Sequence, residues 1–385
     1  MSDKSSSMIK TFALVAGEAS GDTLGADLIA SLKKRYPNAK FIGIGGPKMQ
    51  AQGFESWFPM EELSVMGFFE VLKHLPALLK IRKQLIKKLL DLKPDVFIGV
   101  DAPDFNFKVE RVLKENSIKT VHYVGPSVWA WREKRLNKIK DSVHGVLVLF
   151  PFEPDYYNRY QIPVKFVGHP LANQFPEQPD TSQARVQLGL DEFACVTAIL
   201  PGSRMSEVEH MADVYIQAAA KLALIYPKMH FVIPCVHDKA QQRIQQSVEL
   251  YGKDLNIHLL KGQSKLALES CDQALVTSGT ATLESALMKK PLVLAIIVHP
   301  FSFWLMKKLA TTKWVGLPNI LANKDLVTEL IQEEATSDKI ALNMGKIISD
   351  SRLRQKQVVA FTEQYHQLKQ NASELAADAI EEWMQ

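Results

Sequence analysis

Short apolar runs, rich in Val, Ile and Phe and closed by Gly, Pro or Asp, alternate along the chain with longer amphipathic runs. In the first part the apolar runs are FALVAG, KFIGIGG, PDVFIGVD, KTVHYVGPS, GVLVLF and VKFVGHP, with helical patterns such as TLGADLIASLKKRYP between them. Short runs that are apolar at nearly every position predict strands buried on both faces. The intervening helices predict βαβ units in a parallel sheet. A polar stretch, ANQFPEQPDTSQ, follows His169 and Pro170 and reads as a linker. The pattern then begins again with CVTAILPGS, HFVIPCV, NIHLLKG, QALVTSG and PLVLAIIV, and from about Ser349 the chain reads as helix to its end. Two doubly wound α/β halves facing a central cleft are expected. Ligands of such sheets sit outside the carboxyl ends of the strands, so the loops there are where chemistry is sought.

Composition narrows this only a little. A chain of 385 residues, 46% hydrophobic and 23% charged, suits two soluble domains with sizeable cores. A net charge of +4 is too small to imply a nucleic-acid partner, and no RNA-binding or zinc-finger motif occurs. Cys195, Cys235 and Cys271 form no CxxC pair, which fits a reducing cytoplasm and speaks against a disulfide frame or a zinc site. The polar start MSDKSSS and the run FALVAG, too short for a secretory h-region, lead to no expectation of a secretory leader. The longest apolar stretch, residues 291–306, is interrupted by His299 and Pro300 and falls short of the roughly 20 residues a spanning helix needs.

Four loops carry candidate chemistry. The strand CVTAIL runs into PGSRMSEVE, where Ser203 can contact an anion through hydroxyl and backbone and Arg204 supplies a positive fork. A bland surface arginine is the competing reading. QALVTSG runs into TSGTATLESALM, where the small residues Ser278, Gly279, Thr280, Ala281 and Thr282 let a phosphate approach the positive N-terminus of the next helix. Glu284, one turn inside, can accept from a ribose or merely stabilise the helix; both readings stand. Neither GxGxxG nor GxxxxGK[ST] is present, which counts against a dinucleotide dehydrogenase and a P-loop NTPase. In GVDAPDFN, Asp101 ends a buried strand and is placed for a general base, while Asp104 suits the cap of a helix starting near Phe105. No DxD occurs, so a metal–diphosphate clamp of that kind lacks ligands. VAGEASGD, residues 15–22, has the glycines of a phosphate cradle but carries Glu18 and Asp22.

GEASGD, GVDAPDFN, VGPSVWAWR, VGHP, LPGSR, TSGTATLE and GLPNILA occur in this order along the chain. Together they resemble the bacterial lipid-A-disaccharide synthases, inverting and metal-independent glycosyltransferases of the GT-B fold. The resemblance implies an acceptor-binding, membrane-facing Rossmann-like domain over residues 1–171 and a UDP-sugar domain over residues 172–348. A helical segment, residues 349–385, is then expected to pack back on the first domain. It implies transfer of 2,3-diacylglucosamine from its UDP derivative to 2,3-diacylglucosamine 1-phosphate (lipid X), giving the β(1→6) disaccharide phosphate and UDP, with no cofactor and no metal. Arg204 and the backbone of residues 278–282 would neutralise the diphosphate, Glu284 would hold the ribose, and Asn319 of GLPNILA would reach the nucleotide or sugar. Asp101 would take the proton of the acceptor 6-hydroxyl. Glu18 and Ser20 would then meet sugar hydroxyls, since a carboxylate suits a sugar and repels a phosphate, and Asp22 would cap a helix beginning at Thr23. The alternatives are another UDP-GlcNAc-using GT-B enzyme (a peptidoglycan glycosyltransferase or an epimerase) or a non-catalytic lipid-binding protein; a homodimer is open.

Residues 64–93, SVMGFFEVLKHLPALLKIRKQLIKKLLDLK, carry more apolar positions than one core stripe requires. Phe68, Leu72, Leu75 and Leu79 share one helical face, Val71, Leu78, Leu85 and Leu89 another, and Pro76 is expected to break the helix. A wide buried face is the ordinary explanation. Acylated substrates favour another, because each buried methylene holds such a substrate in lipid by about 0.8 kcal/mol. The expectation is a cytoplasmic protein peripheral to the inner face of the inner membrane. It would dock through Phe68, Phe69, Leu72 and Leu75, with the lysines and arginines on anionic headgroups.

Overall fold

The computed structural model of the chain describes residues 9–63, 68–130, 133–277 and 279–385, the side chains of residues 68–74, 301 and 305 excepted. Two compact units result, Met1–Pro170 with Gln370–Gln385, and Leu171–Lys369.

The first unit runs β1 (Thr11–Ala16), α1 (Ala19–Arg35), β2 (Lys40–Ile44), α2 (Pro47–Ala51), β3 (Glu55–Ser56), α3 (Phe68–Leu92), β4 (Val96–Val100), α4 (Pro103–Glu115), β5 (Lys119–Tyr123), α5 (Arg135–Ser142), β6 (Gly145–Val148), α6 (Glu153–Arg159) and β7 (Val164–Phe166). Among the described residues its strands form one parallel sheet in the order β3-β2-β1-β4-β5-β6-β7. β4, β6 and all but the first residue of β1 are buried, as continuous apolar runs covered on both faces must be. Sheet order reverses between β1 and β4, so their carboxyl ends flank the crevice where such sheets bind ligands.

The second unit runs α7 (Thr181–Gln187), β8 (Val196–Leu200), α8 (Met205–Ile225), β9 (His230–Cys235), α9 (Asp238–Tyr251), β10 (Asn256–Lys261), α10 (Ser264–Ser270), β11 (Gln273–Val276), α11 (Thr280–Leu287), β12 (Leu292–Ile296), α12 (Pro300–Leu309), α13 (Leu317–Ala322), β13 (Thr328–Ile331), α14 (Ser337–Ser349) and α15 (Ser351–Leu368). Its parallel sheet has the order β10-β9-β8-β11-β12-β13, and the reversal lies between β8 and β11.

Four expectations about local structure are corrected. The C-terminal segment does not return to the first unit as a whole. α15 packs on α11 and α13 of the second unit, buries Phe361, Tyr365 and Leu368, and uses Gln357 to accept the Leu292 N–H at 2.8 Å. Only α16 (Ala372–Met384) packs in the first unit, where Ala376, Ala377 and Ile380 join its core. Arg35, at the last turn of α1, pairs with Glu374, Asp378 and Glu381 of α16 at 3.0, 2.7 and 2.6 Å. A Cβ on Gly145 would stand 2.3 Å from the Trp383 ring, so glycine there seats the end of α16. Second, α3 is continuous through Pro76, because one missing N–H leaves the other bonds of a long helix in place. Third, α1 starts at Ala19 and α4 at Pro103, each earlier than its sequence pattern indicates. Fourth, Asp22 caps a different helix. Its buried carboxylate accepts the N–H groups of Gly46, Lys48 and Met49 at 2.9, 2.9 and 3.0 Å, closing the start of α2.

Candidate functional site

In the first unit the two loops at the β1/β4 reversal meet. Gly17 packs against Ala102, where a Cβ would come within 3.3 Å of the Ala102 Cβ. Glu18 takes the N-cap position of α1 with extended backbone; its carbonyl accepts the Asp22 N–H at 2.9 Å, its side chain makes no cap bond, and it is exposed beside the exposed Ser20. Asp101 is half-buried at the end of β4 with φ 52°, and Ala102, the N-cap of α4, follows at φ 44°. Two successive left-handed residues with side chains are unfavourable, and such strain gathers at functional turns. The Asp101 N–H donates to the Tyr123 carbonyl at 2.8 Å, and its carbonyl accepts from Asn106 Nδ2 at 2.8 Å. Asp104 does not cap α4; its carboxylate pairs with Arg135 at 3.1 Å.

Sequence reasoning passed over several buried polar groups of this unit. Glu110 of α4 and His122 of β5 are fully buried and bonded at 2.8 Å, and burial pushes the Glu110 carboxyl above its usual range. Glu153, at the start of α6, accepts the Leu149 and Phe150 N–H groups at 3.1 and 2.8 Å. Burial drives its carboxyl up to about 8. Trp129 of VGPSVWAWR lies edge-on to Phe150 and Phe152. A glycine inside a strand, Gly99, was the available signal for the first cluster, since it marks a close approach.

In the second unit the loops after β8 and β11 are likewise neighbours at the reversal. The turn at Ser203 is already occupied. Glu207 Oε2 accepts the N–H of Ser203 at 2.9 Å and of Arg204 at 3.2 Å, a carboxylate on the positive end of α8. The backbone contact expected of Ser203 is therefore spent internally. The Arg204 guanidinium, 81% exposed and 3.6 Å from Glu207, remains presented outward. Past β11, Gly279 has φ 70° and ψ −145°, a conformation open to glycine, and with Thr280 it lies exposed at the N-terminus of α11. Ala281 is half-buried, and the Thr282 hydroxyl donates to the Gly279 carbonyl at 2.9 Å, which braces the loop at the start of α11. Glu284 is half-buried and burial raises its carboxyl. Ser278 lies outside the described residues.

Asn319 departs from expectation. It is 1% exposed, its Oδ1 accepts the Leu326 and Val327 N–H groups at 2.8 Å each, and its Nδ2 donates to the Val327 carbonyl at 2.9 Å and Glu329 at 2.8 Å. Its hydrogen-bonding capacity is used up inside the unit. Glu329 also accepts the Val315 and Gly316 N–H groups at 2.9 Å, so the pair ties GLPNILA to β13.

Of the docking residues, the side chains of Phe68, Phe69 and Leu72 lie outside the described set. Leu75 is 42% and Leu79 45% exposed, whereas Leu85 and Leu89 are fully buried in a core with Phe97, Val109 and Leu113. The two stripes of α3 thus differ in environment where they are described. Among the described residues, no helix is long and apolar enough to cross a membrane, and no three His, Cys, Asp or Glu side chains group as metal ligands.

Comparison with known proteins gives this geometry a context. Residues 12–383 match the family model for lipid-A-disaccharide synthetase. A lipid-A-disaccharide synthase of Hydrogenovibrio crunogenus is 65% identical over 370 residues, 96% of this chain and 98% of that one. Relatives of the same description from Pseudomonas putida and Pectobacterium carotovorum are 48% and 46% identical, covering 96% of this chain and 96% and 97% of theirs. Among solved structures, a UDP-GlcNAc 2-epimerase from Neisseria meningitidis bound to UDP-GlcNAc superposes with a TM-score of 0.64 at 15% identity, covering 97% of this chain and all of that one. A glycosyltransferase from Rickettsia africae gives 0.61 at 13%, covering 97% and 98%. At such identities the likeness is one of fold, that of the two Rossmann-like domains called GT-B.

Proposed function

The chain belongs to the lipid-A-disaccharide synthase family, and on that footing we propose that its donor is UDP-2,3-diacylglucosamine and its acceptor lipid X. Its reaction is synthesis of the lipid A disaccharide, and it is a glycosyltransferase. In our reading the second unit binds UDP at the β8/β11 reversal. The Arg204 guanidinium and the N-terminus of α11, at Gly279, Thr280 and Ala281, neutralise the diphosphate, and Glu284 accepts from the ribose hydroxyls. Charge placed where UDP departs is the larger catalytic term. The Ser203 N–H and the Asn319 side chain are bonded within their own segments, while the exposed Ser203 keeps its hydroxyl for the diphosphate and the Thr282 backbone closes the α11 end of that site.

In the first unit Asp101 removes the proton of the acceptor 6-hydroxyl as that oxygen attacks the anomeric carbon, and Glu18 and Ser20 hold sugar hydroxyls. A base of this kind contributes about 10²–10⁴ in rate, and inversion requires only one. The observation that carries the reading is the Asp101 turn itself, a left-handed carboxylate at the end of a buried strand, packed beside the Glu18 loop. Asp101→Asn tests it. With UDP-diacylglucosamine and lipid X in detergent, formation of disaccharide and UDP should fall about 10²-fold or more while UDP affinity holds. Near-normal turnover would remove Asp101 from the mechanism.

We further propose that the protein works at an anionic membrane surface, reached through the Leu75–Leu79 side of α3 and its basic residues. The exposure of those leucines, with Leu85 and Leu89 buried on the other stripe, supports this. In the second unit, Trp304 and Met306 are exposed on α12, which ends in Lys307 and Lys308. That combination suits an interfacial helix.

A further inference from the structure

We propose that Asn106 is a positioning residue for the transfer reaction, aiming Asp101 through a ring that two hydrogen bonds to its backbone, the Glu110–His122 bond and the intervening backbone of α4 and β5 close; the proposal rests on the reading of Asp101 as base. Both peptide groups flanking the Asp101 Cα are anchored. Its N–H goes to the Tyr123 carbonyl of β5 at 2.8 Å, and its C=O to the Asn106 amide of α4 at 2.8 Å. The same Nδ2 lies 3.4 Å from the carbonyl of Val15, near the end of β1, where the Glu18 loop begins. One turn further along α4, Glu110 reaches back to β5 and bonds His122, the residue before Tyr123, at 2.8 Å. Helix α4 and strand β5 hold opposite sides of Asp101, and the Glu110–His122 bond fastens α4 to β5.

Packing is organised around this ring. Asn106, Glu110 and His122 are all 0% exposed, and the Phe107 ring stacks on His122 with centroids 4.2 Å apart. Gly99 of β4 makes the room. A Cβ there would come within 2.3 Å of Glu110 Oε1 and 2.8 Å of the Asn106 Cβ. Stability alone does not call for such an arrangement. Apolar side chains fill a core without the cost of burying an acid, an imidazole and an amide. Here Asn106 Oδ1, Glu110 Oε2 and His122 Nε2 have no hydrogen-bond partner among the described residues, which adds to that cost. What a polar ring provides is direction, because hydrogen bonds fix angles where apolar contacts slide. The Asp101–Ala102 pair has most need of it, since both residues would relax out of the left-handed region if released. Misplacing a reacting group by about 1 Å costs about 10²-fold in rate, so the hold on this turn is worth as much as the carboxylate it presents.

The test is a double-mutant cycle in the full-length protein, with Asn106→Ala and Asp101→Asn made singly and together. Disaccharide formation, UDP affinity and thermal unfolding are measured for each. Asn106→Ala should lower kcat about 10- to 100-fold, with KM for the UDP-sugar and UDP affinity kept within about twofold. On the Asp101→Asn background the same change should cost less than about twofold more, because nothing is left to aim. Equal losses on both backgrounds, or an unchanged kcat in Asn106→Ala, overturn the positioning role. Normal turnover in Asp101→Asn alone overturns the base assignment instead, so the two failures are told apart. Asn106→Leu, of similar size and without a donor, goes through the same cycle in case alanine does not fold. If neither variant folds, Asn106 is holding the fold and the proposal is lost. Glu110→Gln, which can still bond His122, should recover most of the kcat that Glu110→Ala loses. Equal losses in those two would exclude the Glu110–His122 bond from the ring.

Discussion

Asn319→Ala separates a ligand-binding asparagine from one that locks a loop. In the structure the side chain makes four bonds from a position 1% exposed. Truncation does not cost four bonds, because the Leu326 N–H keeps the Lys324 carbonyl at 2.9 Å and Glu329 keeps the Val315 and Gly316 N–H groups. What is lost outright is the partner of the Val327 N–H, roughly 1–3 kcal/mol for a buried donor left bare, and a charge-assisted bond to Glu329 of about 1.5–3 kcal/mol. Allowing for relaxation, a loss of about 3 kcal/mol is expected. For a unit of this size that lowers Tm by roughly 6–12 °C. Thermal unfolding with and without UDP, and calorimetric titration of UDP at low temperature where both proteins are folded, measure the two effects separately. A locked loop gives a large fall in Tm and, in the folded fraction, nearly normal UDP binding. A variant as stable as the parent that has lost tenfold or more in UDP affinity would refute the lock and return Asn319 to the nucleotide.

Three further outcomes are expected. Arg204→Ala and Glu284→Ala should each weaken UDP in calorimetry, and unchanged affinity in both moves the nucleotide away from the β8/β11 reversal. Changing Leu75 and Leu79 together to serine should leave unfolding nearly unaltered and reduce binding to anionic vesicles. The same change at the buried Leu85 and Leu89 should abolish cooperative folding, at about 2–5 kcal/mol each against a typical total of 5–15; vesicle binding that survives the first pair sinks the docking face. Lys34, then Arg35, holds the Glu374 carboxyl down to about 2, so α16 should keep this support above the ordinary carboxylate range and lose it as pH falls from about 4.5 toward 2. Hydrogen exchange in α16 reports the loss, and Lys34→Ala with Arg35→Ala should remove its pH dependence.

The alternation of strands and helices was readable because parallel strands buried on both faces leave a strong mark. β1, β4 and β8 are apolar almost throughout, and their shortness, β-branched content and closing Gly, Pro or Asp separate them from buried helix segments. β3 and β13 were missed for the same reason reversed, since their residues are partly exposed and carry Glu55, Ser56, Thr328 and Glu329. The C-terminal helices show a different limit. The pattern from Ser349 onward says helix, but what divides α15 from α16 is which surface each covers. That depends on partners far away in sequence: Leu292 for Gln357, Arg35 for Glu374, Gly145 for Trp383. A local pattern reports that a face is apolar and not what lies against it.

The same limit governs the site, and it explains which residues could be read. Glu18, Asp101 and Arg204 lie in the loops that follow strands at the two reversals of sheet order, and their position follows from topology once the strands are known. Position does not decide what a polar group does there. Ser203 and Arg204 share a turn, yet Glu207 takes both their N–H groups and leaves the arginine side chain presented outward. Asp22 and Glu18 share another, yet one carboxylate is consumed by the start of α2 and the other caps nothing. Asn319, on the short helix α13, stands in a segment that looked as promising as theirs, and its bonds close on Leu326, Val327 and Glu329 instead. In each pair the deciding fact is whether a second group, several or many residues away, already satisfies the first. Chemistry-bearing loops can therefore be found from strand ends, while the division of labour within them depends on a three-dimensional count of donors and acceptors.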